Sequence, residues 1–188
     1  MVIASQLRKE NIASYLLYMW QIEDLIRANG LDIDSIDDTI VKGFPEESRK
    51  HIHDWYESLI DMMRREDVAA KGHLQMNRNI IGALADLHRQ IMADPDPDFD
   101  EYRREFYNPL PFIVELRSKS GDEKAGEIET CFNALYAQLL LRLQHKEISA
   151  ETELAFKQIS QFIALLARDF ARDEREELFK NKDGDKDN

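Results

Sequence analysis

Apolar residues recur at every third or fourth position through most of this 188-residue chain, and that period restricts the fold more than any other feature. Ile12, Tyr15, Leu16, Met19, Ile22 and Ile26 form one row, and Ile52, Trp55, Tyr56, Leu59, Met62 and Met63 a second. Leu74, Ile81, Leu84, Leu87 and Ile91 make a third. The cleanest stripe is Ala155, Phe156, Ile159, Phe162, Ile163, Leu166 and Phe170. A repeat near 3.6 residues gathers such positions on one helix face, whereas a half-buried strand needs strict alternation. Phe112 to Leu116 reads locally as a strand because Ile and Val are β-branched. No other segment offers it a partner strand, so it is assigned to a helix.

Turn and cap chemistry sets the expected boundaries. Gly30 ends the first long helix, and a second runs from about Glu46 to Ala69 before Gly72. One short helix is expected between Leu31 and Pro45. A third long helix, from about His73 to Ala93, stops at Asp94-Pro95-Asp96-Pro97-Asp98, where each proline lacks an amide donor and disfavours helix in the residue before it. Asp98 and Glu101 have the spacing of a capping pair for a short helix reaching Tyr107, and Pro109 and Pro111 introduce the fourth core segment. Ser120 and Glu123 have capping-box spacing for a fifth helix ending near Lys146, and Ser149 caps a sixth. The expected architecture is an all-α, single-domain bundle of about six helices over residues 1–172. The charge-dense residues 173–188 read as a loose tail.

A formal net charge of -12 argues against a nucleic-acid partner, since phosphate affinity is built from clustered Lys and Arg. An anionic membrane surface is disfavoured for the same reason. No window approaches the roughly 20 apolar residues that span a bilayer, and residues 1–10 lack the apolar run of a signal peptide. The single cysteine, Cys131, excludes an intramolecular disulfide framework and multi-cysteine zinc sites. A cytoplasmic location is expected.

Catalytic signatures are sparse. Bundle di-iron sites need Glu-x-x-His pairs, and none of the five histidines follows a carboxylate by three residues. His53 and Glu57 have i,i+4 spacing, which is common by chance. Helical pyrophosphohydrolases hold magnesium through Glu-x-x-Glu and Glu-x-x-Asp pairs, and the one Glu-x-x-Glu here is Glu174 with Glu177 in the charged tail. There is no Gly-rich phosphate loop, no Gly-x-Ser-x-Gly and no dinucleotide fingerprint. Cys131, in a helix interior, reads as a buried inert thiol. Neither metal nor cofactor is expected.

Polar groups inside apolar helices carry more information, because a buried charge is costly unless paired or hydrogen-bonded. Glu23 and Arg27 have the favourable i,i+4 order of acid before base. Glu115 and Arg117 lie on different faces of their helix. Glu127 shares a face with Cys131, Glu129 shares another with Asn133, and Arg142 interrupts a leucine run. Glu23, Arg27, Glu115, Arg117, Glu127, Glu129, Asn133 and Arg142 are thus candidates for one semi-buried network, either fixing bundle register or lining a pocket. His73, after Gly72, is placed at a helix N-terminus, where an imidazole and free amides receive an anion.

The segments Glu10 to Ala13, Tyr15 to Asp24, Met62 to Glu66, Lys71 to Gln75 and Gly126 to Tyr136 resemble an uncharacterised family of small bacterial proteins, of Bacteroidetes type, labelled a domain of unknown function. The resemblance covers nearly the whole chain before the tail and implies a single-domain cytoplasmic bacterial protein. It brings no activity, cofactor or catalytic residue.

The function expected on these grounds is a non-catalytic interaction or regulatory module. It would form a homodimer or take a protein partner through Tyr15, Tyr18 and Trp20, with Trp55 and Tyr56 as further rigid anchors. The alternative is a small-molecule-binding protein or enzyme with a carboxylate and arginine pocket in the bundle.

Overall fold

A computed structural model describes residues 2–120 and 125–179. Among these residues all regular secondary structure is helical, with nine α-helices and no strand. In chain order they are α1 (Val2–Glu10), α2 (Ile12–Ala28), α3 (Ile33–Thr39), α4 (Glu46–Arg65), α5 (Gln75–Ala93), α6 (Asp100–Tyr107), α7 (Leu110–Ser120), α8 (Glu127–Leu143) and α9 (Ala150–Asp173). Single turns of 3-10 helix lie at Val41–Gly43 and Pro97–Phe99. Nine helices replace the expected six. Val2–Glu10, split from α2 by Asn11 alone, has too few apolar positions to show a period. The short helices α3 and α6 are elements in their own right.

Most long helices end as their sequence suggests, but the stops use residues that a glycine rule overlooks. After α2, the amide of Gly30 donates to the Arg27 carbonyl (2.9 Å) and that of Leu31 to the Ile26 carbonyl (3.0 Å). This paired closure places Gly30 in the left-handed region at φ 66°. The same pair of bonds closes α4 around Asp67, α8 around His145 and α9 around Glu176, all with positive φ. N-termini are capped locally. Ser149 Oγ accepts from the Thr152 amide (3.2 Å), as expected. Asp96, not Asp98, accepts from the amide ahead of α6 (Asp98 N–H, 2.9 Å), because Pro97 opens the 3-10 turn. α8 starts at Glu127 after Gly126; Ser120, expected to cap it, is the last residue of α7, and Glu123 lies outside the described residues.

The chain divides into two compact units. One holds residues 2–10 and 14–80, and the other residues 11–13 and everything from Ile81 on, so the division falls within α5. The interior of the first is built from Leu16, Met19, Trp20, Ile26, Ile36, Met63 and Leu74, with α3 packed on α4. In the second, α9 packs against α6 and α8, and α7 against α8. Its core contains Ile113, Ile128, Cys131, Phe132, Phe162, Ile163 and Leu166. An aromatic cluster sits there: Phe162 lies 5.5 Å from Tyr102, 5.2 Å from Phe106 and 5.6 Å from His88, measured between ring centroids. Beyond α9, residues 174–177 are exposed, but Leu178 is buried and Phe179 meets Phe99 at 5.6 Å, so these two residues of the segment assigned to a loose tail are packed. Residues 180–188 of that tail fall outside the described residues. No helix of the described residues is long and apolar enough to cross a membrane.

Candidate functional site

Two arrangements in the first unit bring together polar or aromatic side chains from several elements. The first is built on Glu23, which is 1% exposed on α2. Its Oε2 meets His73 Nδ1 at 2.6 Å, and its Oε1 accepts from the Leu74 amide (3.0 Å) and from Asn77 Nδ2 (2.7 Å). A carboxylate only accepts, which assigns the ring proton of His73 to Nδ1. The Trp20 indole stacks on the His73 ring, with centroids 4.0 Å apart and planes 12° from parallel. Four residues further along α2, Arg27 Nη1 bonds Asp24 (2.8 Å), and Nη2 bonds the carbonyls of Val68 (3.0 Å) and Gly72.

This geometry answers the sequence expectations directly. Glu23 and Arg27 do not form the expected pair, because the 66–77 segment supplies donors to the acid and carbonyls to the base. The helix N-terminus at His73 does receive an anion, and the anion is the chain's own. Glu23 takes the Leu74 amide, and Glu66 Oε2 takes the Gln75 amide at 2.5 Å. Each would otherwise be an orphan donor at the start of α5. The cluster therefore fastens the α4–α5 connection onto α2.

The remaining candidates of the network are dispersed. Glu115 is exposed and pairs with Lys119, four residues on, in a hollow of about 240 Å³ between α7 and α9. Arg142 is exposed in a separate hollow between α8 and α9. Glu127 faces Cys131 across one turn of α8, where it adds to the burial that pushes the thiol far up. Glu129 and Arg117 are half-buried and Asn133 is exposed. A further buried carboxylate, Asp169 on α9, is not among the expected candidates; it is bound by Arg168 Nε (3.0 Å) and Arg172 Nη1 (3.4 Å). An Asp in an apolar stripe with Arg at i-1 and i+3 is the signal that was available.

The second arrangement is an open groove of about 370 Å³. On α4, Ser48, Ile52 and Tyr56 form one row at i, i+4 and i+8, and Glu47, His51 and Trp55 form the adjacent row, so one broad helix face supplies the wall. Tyr18 of α2, Ile3 of α1 and Phe44, just ahead of α4, complete it. Trp55 and Tyr56 meet edge to face, 5.0 Å between centroids at 62°. Burial raises both tyrosine phenols; Tyr56, which also feels Tyr18, is pushed up to about 12. Ile3 and Phe44 leave large apolar side chains in solvent at 52% and 38% exposure.

The interface expected on α2 narrows accordingly. Tyr15 and Trp20 are 4% and 1% exposed, so they fill the interior instead of presenting a surface, and Tyr18 alone of the three reaches the groove. Trp55 joins it there, and Tyr56, itself only 4% exposed, lines the hollow from within the core. Ile3 and Phe44 were not foreseen; an aromatic beside Pro45 between two helices was the available sign. On the same helix α4, His53, Asp54 and Glu57 bring ligand-type atoms within 4.8 Å of one another. Asp54 is already paired with Lys50 (2.9 Å), and His53 Nδ1 with Asp37 (2.8 Å). Those bonds oppose metal capture at this exposed position.

No curated protein and no solved structure matches the chain significantly. A family model described as a domain of unknown function, DUF4924, matches residues 1–177, nearly the entire described length, and the chain belongs to that family.

Proposed function

We propose that the protein is a non-catalytic binding module whose recognition site is the aromatic groove of the first unit, where it takes an apolar side chain of a partner protein. The observation that carries this reading is the groove itself, an aromatic-lined hollow of about 370 Å³ flanked by the exposed Ile3 and Phe44. Aromatic anchors that hold their shape while half-exposed contribute most of the energy at protein interfaces. The alternative, a carboxylate and arginine pocket, has less support. Glu23 is taken up by His73, Leu74 and Asn77, Arg27 Nη1 and Nη2 by Asp24 and two carbonyls, and Glu115 is paired with its neighbour Lys119.

Affinity capture with the intact protein, a Trp55→Ala variant and a Leu154→Ala variant of the second unit tests the proposal. Leu154 is also exposed, at 50%. The proposal expects a partner held by the first and third proteins and lost by the second, with the melting temperature of Trp55→Ala nearly unchanged. Retention by Trp55→Ala, or loss by Leu154→Ala alone, contradicts it.

A further inference from the structure

We infer that the second unit joins two copies of this chain, face to face, through the C-terminal half of α8 and the first turns of α9. The two-fold axis would run along the hollow between these helices. α8 is apolar on nearly every side, yet only its first half is enclosed. Ile128, Cys131, Phe132 and Leu135 are buried, whereas Leu139, Leu140 and Leu141 are half-buried and Leu143 is 63% exposed. A helix apolar all round belongs in a core or an interface. Across the hollow, of about 560 Å³, α9 presents Ala150, Leu154 and Lys157 at i, i+4 and i+7. Exposed leucines thus stand beside a recess that can take them. Apolar side chains scattered singly are ordinary on a surface, but a contiguous set marks a contact.

The distribution of charge selects a second copy as the occupant. Between Thr130 and Leu165, Arg142, Lys146 and Lys157 balance Glu147, Glu151 and Glu153, so the whole formal charge of -12 falls outside this stretch. Two copies repel one another over most of their surface and least here. The hollow itself carries both signs, Arg142 on the α8 wall and Glu153 on the α9 wall, and among the described residues neither is in an ion pair. A two-fold interface uses one patch twice, so the patch must be its own complement. With the axis along the hollow, α8 of each copy lies over α9 of the other. Arg142 then meets Glu153 of the second copy, twice over, and each Leu143 faces the opposite recess.

Sedimentation equilibrium of the intact protein tests this, and a species of twice 22.0 kDa is expected at micromolar concentration. Leu143→Glu is expected to weaken self-association at least about tenfold. Arg142→Glu and Glu153→Arg each set like charges against one another and are expected to weaken it by a similar factor. Combining the two charge reversals restores the pairing, so the double variant should return to within about threefold of the intact protein. All three positions are exposed, so thermal melts of the variants should show the fold intact. Phe44→Glu, at the groove of the first unit, serves as control and should leave the mass unchanged. A monomer at every concentration overturns the inference, and so does a dimer indifferent to Leu143→Glu. Loss of the dimer in Phe44→Glu alone moves the contact to the groove, against the inference. A double variant as weak as the single ones rules out the two-fold pairing. Growth beyond two copies means a head-to-tail contact and overturns it as well.

Discussion

At the scale of single residues, the buried polar groups differ in how replaceable they are. Glu23 satisfies three donors from the 73–77 segment, so Glu23→Ala leaves a buried amide and Asn77 without an acceptor and should cost about 3–5 kcal/mol. Glu23→Gln keeps an acceptor oxygen for Leu74 and Asn77 and asks only that His73 move its ring proton, so about 1 kcal/mol is expected. Urea denaturation of the two variants separates these outcomes. His88, joined to Tyr102 at 2.9 Å inside the aromatic cluster, is lowered by burial from its ordinary 6.5 to about 4. The folded state therefore favours neutral imidazole, and as pH falls from 6.5 toward 4 the unfolded state takes up the proton first. Stability should drop by about 3 kcal/mol over that window, a drop that His88→Gln flattens in melts at several pH values. Cys131 is fully buried with its thiol pushed up, so a thiol reagent should modify it only on unfolding. That Glu23 is a polar group inside an apolar helix was legible in the sequence. Its partners were not, because they lie about fifty positions away and two of them are an amide and an asparagine.

At the scale of elements, the periodic rows identify α2, α4, α5 and α9, whereas α7 is read as a helix only because its strand-like residues have no partner strand, and α8 from turn and cap residues. The boundaries were less legible. A rule that looks for glycine finds the stop at Gly30 and misses those at Asp67, His145 and Glu176, where an L side chain accepts the left-handed conformation. That conformation costs a residue with a Cβ on the order of 1 kcal/mol. His145→Gly, at an exposed position, should raise stability by about 0.5–1 kcal/mol, and Gly30→Ala should lower it by about 1 kcal/mol, with open space around the new methyl. Gly72→Ala, at φ 88° and with its carbonyl held by Arg27, should cost about 1–2 kcal/mol. Thermal melts of the three variants check both sign and order. α1 escaped notice for another reason, since nine residues give too little length for a period to stand out.

At the scale of the whole molecule, the family model runs across both compact units, so the sequence pattern that defines the family is not confined to the groove. The first unit offers an aromatic groove, and its buried carboxylate serves to hold the chain in place. Composition and spacing could suggest aromatic anchors but not which of them stay outside. Tyr15 and Tyr18 are both apolar positions of α2, and only the packing of the other helices buries one and leaves the other at the rim. Hydrogen–deuterium exchange on the protein alone and with its captured partner tests the groove most directly. The account expects new protection at α1 and over residues 44–56, and little change in α8 and α9; protection confined to α8 and α9, with residues 44–56 unchanged, would contradict it.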